Sequence, residues 1–264
     1  MLGGFLYFMK EVQKMEQRAT PRNDHKENSW LMTQAWKDVL FLHWPVSKDE
    51  LRKHVPAELE LDLYNDMAWI SLVLFKVEGT RLRLTPSVPH ISNYLELNVR
   101  TYVKHGKKPG IHFFSLDASS DLVVSVTRLG DFLPYMKAKM DFVKDAGRFA
   151  FTSHRVQENA APEALTVGYK PHLETLLDKQ EIDRFLTERY TFWTKPKDSL
   201  FRLDITHPEW DLYPVEFQIE HNTMASFIPF MEGDNYPIAH YSPGVKPLFF
   251  PPMSVETDGE KFAD

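Results

Sequence analysis

Apolar positions along this chain recur with a period of two or in unbroken runs, and both patterns predict strands. The first clear run is "VLFLHW" at 39–44, a buried strand that Pro45 ends. "LELDLYND" alternates, with Leu59, Leu61 and Leu63 on one side and Glu60, Asp62 and Tyr64 on the other, before a turn at Asn65-Asp66. "MAWISLVLFKV" at 67–77 is nearly all apolar, as for a strand covered on both faces. "YLELNVRTYV" turns through Gly106 to Gly110 into a return strand, "IHFFSLD". "DFVKDAGRFAFTSHRVQ" reads as a hairpin turning at Asp145-Ala146-Gly147.

Helical signals are fewer. In "SKDELRKHVP", Ser47 and Glu50 form a capping box and Pro56 stops the helix. Asp178 and Glu181 cap a second helix at about 179–188. "SSDLVVSVT" supports either a strand, through Val123, Val124 and Val126, or a helix, through its Ser/Ser/Asp start. "LGDFLPYMKAKM" at 129–140 predicts a short helix entered through Pro134. Eighteen prolines and 13% aromatic residues add to a β-rich reading: many short elements joined by turns. Residues 1–28 are read as a loosely ordered arm and 29–264 as one domain with a curved or closed antiparallel sheet.

Charge and composition remove several function classes. The formal net charge is −6, and the one basic run, "KHGKK" at 104–108, sits beside a Pro-Gly turn, so no nucleic-acid partner is expected. No segment approaches the ~20 apolar residues of a membrane span, and a cytoplasmic protein is expected. The chain has no cysteine, which excludes disulfides and thiolate chemistry. Its 11 histidines show no metal-ligand spacing, and there is no glycine-rich phosphate loop, so neither metal nor cofactor is expected. His43 and His112 lie in apolar strands and read as core residues, whereas His221 and His240 near turns are candidates for proton transfer. A homo-oligomer is compatible with the sequence.

Two constellations carry candidate chemistry. Alternation places Glu96, Asn98, Arg100 and Tyr102 on one face of their strand. That face either meets water or lines a cavity, where a carboxylate, an amide and a guanidinium would grip a small organic acid. The second is Lys137 and Lys139. A lysine that attacks a ketone must be a free amine, and lowering its pKa from about 10.4 to about 6–7 costs the ammonium form ~5 kcal/mol. Burial beside a second cation supplies that shift. On a helix, residues two apart diverge, so these two lysines do not form such a pair.

"DELRKHVPAELELD", "YLEL" at 94–97 and the segment around Pro134 resemble elements of the acetoacetate decarboxylases. The resemblance implies an active-site glutamate at Glu96, an arginine at Arg128, and a helix that in the decarboxylases begins proline-lysine-lysine, the first lysine forming the Schiff base. Here that place reads Pro134-Tyr135-Met136, unless a one-residue slip makes Lys137 the counterpart. A second acidic residue on the preceding strand has no counterpart in 67–75.

The chain is identified more closely as a member of the YqjF-like family of uncharacterised proteins within the acetoacetate-decarboxylase-like superfamily. "LFLHWPV", "LRKHVPAELELD", "ELNVRTYV", "FFSLDA", "LPYMKAKM" and "HYSPGV" occur in order from about residue 30 to 245. The implied fold is α+β and β-rich: a curved sheet or double-cone barrel around a central cavity, with a few short helices. The implied function is binding of a small organic acid or aromatic ligand. Glu96, Tyr135 and Arg128 would carry any chemistry, and Asn98, Arg100, Trp44 and Phe114 would hold the ligand. The alternative is a Schiff-base lyase on keto acids using Lys137 or Lys139.

Overall fold

The computed structural model describes residues 30–87, 92–127, 132–229 and 236–255. The arm expected at 1–28, and Arg128, lie outside the described residues. In chain order the elements are β1 (Met32–Val46), α1 (Lys48–Arg52), β2 (Glu60–Leu61), β3 (Ala68–Leu82), β4 (Tyr94–His105), β5 (Lys108–Ala118), α2 (Asp121–Thr127), β6 (Tyr135–Asp145), β7 (Arg148–Arg155), β8 (Ala164–Pro171), α3 (Glu181–Thr187), β9 (Thr191–Thr194), β10 (Leu200–Thr206), β11 (Val215–Asn222), β12 (Ile238–Val245), β13 (Leu248–Phe249) and β14 (Met253–Val255). No helix among the described residues is long and apolar enough to cross a membrane.

The strands belong to one 14-stranded sheet that closes on itself. Pairing runs β1–β3–β4–β5–β9–β10–β13 and back to β1, a complete ring. Closure removes the free edges an open sheet would expose. The pairings are antiparallel except β5–β6 and β5–β9, so the sheet is mixed rather than wholly antiparallel. From β5 a branch of β6, β7, β8 and β11 folds back over the outer face of the ring. Between ring and branch lies the largest core: Leu40, Leu42 and Trp44 of β1, Leu72 and Leu74 of β3, and Leu97 and Val99 of β4 pack against Phe149, Phe151 and Val167. Because successive side chains point to opposite faces, the residues between these face the interior of the ring. That is why "ISLVLF" in β3 is buried throughout, with Ser71 its one polar member.

Two local irregularities set which residues face inward. In β1 the register with β3 shifts between Lys37 and Leu40, and Asp38 takes φ = 50°. Trp36 therefore shares the inner face with Val39 and Phe41, and Trp44 falls on the outer face. In β5 the register with β4 shifts between Val99 and Arg100: Ser115 faces Val99, while Phe113 faces Arg100. Phe114 is the extra residue of this bulge, which turns Phe113 inward and leaves Phe114 outside against Phe227.

The segment read as a helix at 129–140 is strand β6 from Tyr135 onward. Its first residues pair in parallel with Leu116–Ala118 of β5, and from Ala138 it pairs with β7. Unpaired backbone groups on those neighbours outweigh the helix propensity of "MKAKM", whose Met, Lys and Ala are all good helix formers. The ambiguous segment before it is helix α2. In α1, Ser47 Oγ accepts from the amide of Glu50 as expected, but the Glu50 carboxylate pairs with Lys53 at 2.7 Å instead of reaching back. In α3 the cap is Gln180 with Asp183, rather than Asp178 and Glu181.

Candidate functional site

A cavity of about 60 Å³ lies inside the ring, and every ring strand contributes to its wall. Glu96, Asn98 and Arg100 of β4 project into it, so the polar face of that strand meets the cavity and not bulk water. Tyr135 enters from β6, Trp36, Val39 and Phe41 from β1, Val73 and Phe75 from β3, Phe113 and Leu116 from β5. The C-terminal end of α3 and the residues after it add Thr187 and Arg189, and the loop after β10 adds His207 and Trp210.

Glu96 is 4% exposed and accepts a hydrogen bond from the Tyr135 hydroxyl at 3.2 Å. Burial raises its pKa from 4.5 to about 7, even though hydrogen bonds from Tyr135, Asn98 and Tyr94 favour the ionised form; Asp117 nearby raises it further. Burial also holds the Tyr135 phenol well above its usual range, and the Glu96 carboxylate adds to that. The pair is thus a carboxyl group close to half-protonated at neutral pH beside a phenol that stays protonated. Such a carboxyl can take or release a proton near pH 7.

Arg100 is 8% exposed. One nitrogen donates to the Leu186 carbonyl at 3.3 Å, the guanidinium lies 5.8 Å from the Phe41 ring centroid, and buried Nε has no partner. No carboxylate among the described residues forms an ion pair with it. Arg189 differs: it pairs with Asp62 at 2.5 Å and lies over the Tyr102 and Phe185 rings. Two further buried polar atoms on the cavity wall lack partners, Asn98 Oδ1 and Trp36 Nε1. Unpaired buried polar groups are few in folded proteins, and three of them gather around this one small cavity.

Opposite the polar groups the wall is aromatic. Trp36 stacks on Trp210 at 6.1 Å and 7°, and Phe75 and Phe249 approach Trp36 at 5.6 and 5.8 Å. His207 lies 5.0 Å from Trp210, and burial lowers its pKa.

The remaining expected site residues lie elsewhere. Trp44 and Phe114 face the outer core, for the bulge and alternation reasons above. Tyr102 shares the inner face but sits beyond the cavity, bonded to Ser71, His43 and the Leu186 carbonyl. Lys137 is on the exterior, its ammonium 2.7 Å from Asp121, and Lys139 is exposed. No lysine is among the described residues that line the cavity. His43 is fully buried and bonded to Ser71 at 2.7 Å, and burial holds its pKa well below normal. His112 bonds the Trp193 carbonyl. His221 is exposed, and His240 is bonded to Asp183 at 2.9 Å, where it ties β12 to α3. Among the described residues no three His, Cys, Asp or Glu gather as metal ligands. Sequence reasoning missed Trp36, Phe113, Thr187, Arg189, His207 and Trp210. Only closure of the ring brings them together.

Comparison with known proteins agrees with this architecture. The sequence profile of the DUF2071 family, described as an uncharacterized conserved protein, matches residues 33–246. The Bacillus subtilis protein YqjF, also described as uncharacterized, is 39% identical over 223 residues, covering 84% of this chain and 91% of that one. The chain belongs to the DUF2071 family. Among solved structures, an acetoacetate decarboxylase superposes with a TM-score of 0.59 at 15% identity, covering 89% of this chain and 90% of the other. The acetoacetate decarboxylase of Legionella pneumophila gives 0.57 at 12%, covering 89% and 91%. The enduracididine biosynthesis enzyme MppR, solved with pyruvate, gives 0.57 at 8%, covering 87% and 91%. At these identities the likeness shows the fold: it is acetoacetate-decarboxylase-like.

Proposed function

We propose that the ring interior is a binding site for a small organic acid, with its carboxylate on Arg100 and its carbon skeleton against the Trp36–Phe41–Trp210 wall. The observation that carries this reading is Arg100, a guanidinium buried in the ring interior with no counter-ion among the described residues. Burying a lone cation costs several kcal/mol even after relaxation, and a ligand carboxylate removes that cost by bidentate pairing. Glu96 cancels the charge only in part, because burial leaves it close to half-protonated at neutral pH and it forms no ion pair with Arg100. It offers the bound acid a proton donor, and Asn98 Oδ1 offers an acceptor. The mixture of apolar wall and a few converging polar groups is usual for ligand sites.

Isothermal titration calorimetry with small monocarboxylic and 2-keto acids tests this. The expected result is saturable binding that Arg100→Met weakens at least a hundredfold, while circular dichroism shows the fold retained. Equal affinity in the variant would remove the reading. A Schiff-base lyase finds less support, since Lys137 is held outside by Asp121. Borohydride treatment in the presence of pyruvate or acetoacetate is expected to leave the mass of the protein unchanged. A covalent adduct on Lys137 or Lys139 would restore the lyase.

A further inference from the structure

The cavity is small for the site just proposed. About 60 Å³ admits a few heavy atoms, whereas ligand pockets usually run from ~300 to ~1,000 Å³. A second hollow, an open groove of about 370 Å³, lies directly against it. Phe113, Leu133 and Tyr135 line both, so the partition is one side chain thick. Phe113 is the cross-strand neighbour of Arg100 in the β4–β5 ladder, which puts the partition beside the guanidinium. Beyond it the apolar part of the groove is Phe132, Pro134, Met136 and Pro196, two of them prolines with fixed φ. The polar groups on its rim are already engaged. Lys195 pairs with Glu58 at 2.8 Å, the Thr194 hydroxyl donates to the Phe132 carbonyl, and His112 Nδ1 bonds the Trp193 carbonyl at 3.0 Å. The groove therefore offers burial for hydrocarbon and little for a second charge.

We infer that the groove is a second subsite that takes the apolar tail of a monocarboxylic acid, the head group lying on Arg100 and the chain passing between Phe113, Leu133 and Tyr135. The ligand class is thereby a medium-chain or arylalkyl acid and not a two- or three-carbon acid. Dicarboxylates are disfavoured, since the ammonium that a second carboxylate would meet in the groove, Lys195, is already paired with Glu58. This rests on the acid-binding reading above and adds to it the length and polarity of the ligand.

The test is a chain-length series on the wild-type protein: propanoate, butanoate, hexanoate and 4-phenylbutanoate, with adipate as the dicarboxylate. Affinity is expected to rise about fourfold per added methylene, so that hexanoate binds well over tenfold tighter than propanoate, and adipate no tighter than propanoate. Met136→Glu, which places a carboxylate on the groove floor, is expected to remove the gain for hexanoate and leave propanoate binding unchanged. If propanoate binds and the series is flat, the groove subsite is overturned and the Arg100 site stands. If no acid binds at any length, the site and its extension both fall. The wild-type series decides between these outcomes even if Met136→Glu does not fold.

Discussion

At the scale of single residues, the cavity concentrates groups that are individually costly to bury. Glu96 is the one whose cost depends on pH. In the unfolded chain its carboxyl releases its proton near 4.5, whereas in the fold it keeps that proton until about 7. Between those values the native state binds the extra proton, so stability falls as pH rises through the window and is level above it. At about 1.4 kcal/mol per unit, the loss attributable to Glu96 is about 3 kcal/mol. Glu96→Gln keeps an acceptor for Tyr135 and cannot ionise. Urea denaturation at pH 5 and pH 8 is therefore expected to show the variant losing about 2–3 kcal/mol less than the wild type between the two. An identical pH dependence in both would mean Glu96 titrates normally. Acid binding follows the same proton: affinity is expected to decline above pH 7 as Glu96 becomes anionic beside the ligand, and to lose that decline in Glu96→Gln.

At the scale of elements, the decisive features are the bulges and the seam that closes the ring. The bulges at Asp38 and Phe114 reverse the alternation of β1 and β5 in mid-strand, and so exchange which aromatic residues face the cavity. The seam between β5 and β9 is thin, a single pairing of Ile111 with Phe192. It depends on Gly110, where a Cβ would lie 2.6 Å from the Thr191 carbonyl oxygen and 2.7 Å from the Trp193 ring. Gly110→Ala is expected to push the two strands apart and cost about 1–3 kcal/mol, as over-packing does, measured as a lower urea midpoint. It is also expected to weaken acid binding, because Phe113 and Phe192 on either side of the seam pack 5.2 Å apart on the cavity wall. Helix α3 matters in a similar way. Asp183 bonds both the Gln180 amide and His240, and the Leu186 carbonyl accepts from both Tyr102 and Arg100, so the helix is fastened at both ends over the cavity.

At the scale of the whole molecule, the proposed acid would bind only the folded chain, since the cavity exists only once the ring has closed, so its binding and stability would be one equilibrium. An unpaired Arg100 destabilises the empty native state, and the site does not exist in the unfolded chain. A saturating acid is therefore expected to stabilise the protein in proportion to its affinity, about 2.7 kcal/mol at a hundred times Kd. The midpoint of thermal unfolding should rise with hexanoate and stay fixed in Arg100→Met. A shift of the same size in that variant would show the acid acting elsewhere on the protein. The organic-acid reading and the acetoacetate-decarboxylase-like fold meet at this scale, since both rest on a hollow interior.

Much of this was legible in the residues. The period-two pattern specified the strands, the turn residues placed the hairpins, and alternation in "ELNVRTYV" put Glu96, Asn98 and Arg100 on one face, because side-chain direction in a strand is a local property. The sequence also carried the resemblance to the YqjF-like family. What it could not contain was the direction of that face. Whether a polar strand face meets water or a cavity depends on how strands hundreds of positions apart close a ring, as Met32 of β1 does with Phe249 of β13. The same holds for β6, where helix propensity lost to the edge of β5, and for Trp36 and Phe113, which hidden register shifts turned inward. Local chemistry is written in neighbours along the chain, but a cavity is a property of closure, and closure is decided only when β13, near the end of the chain, pairs with β1 at its start.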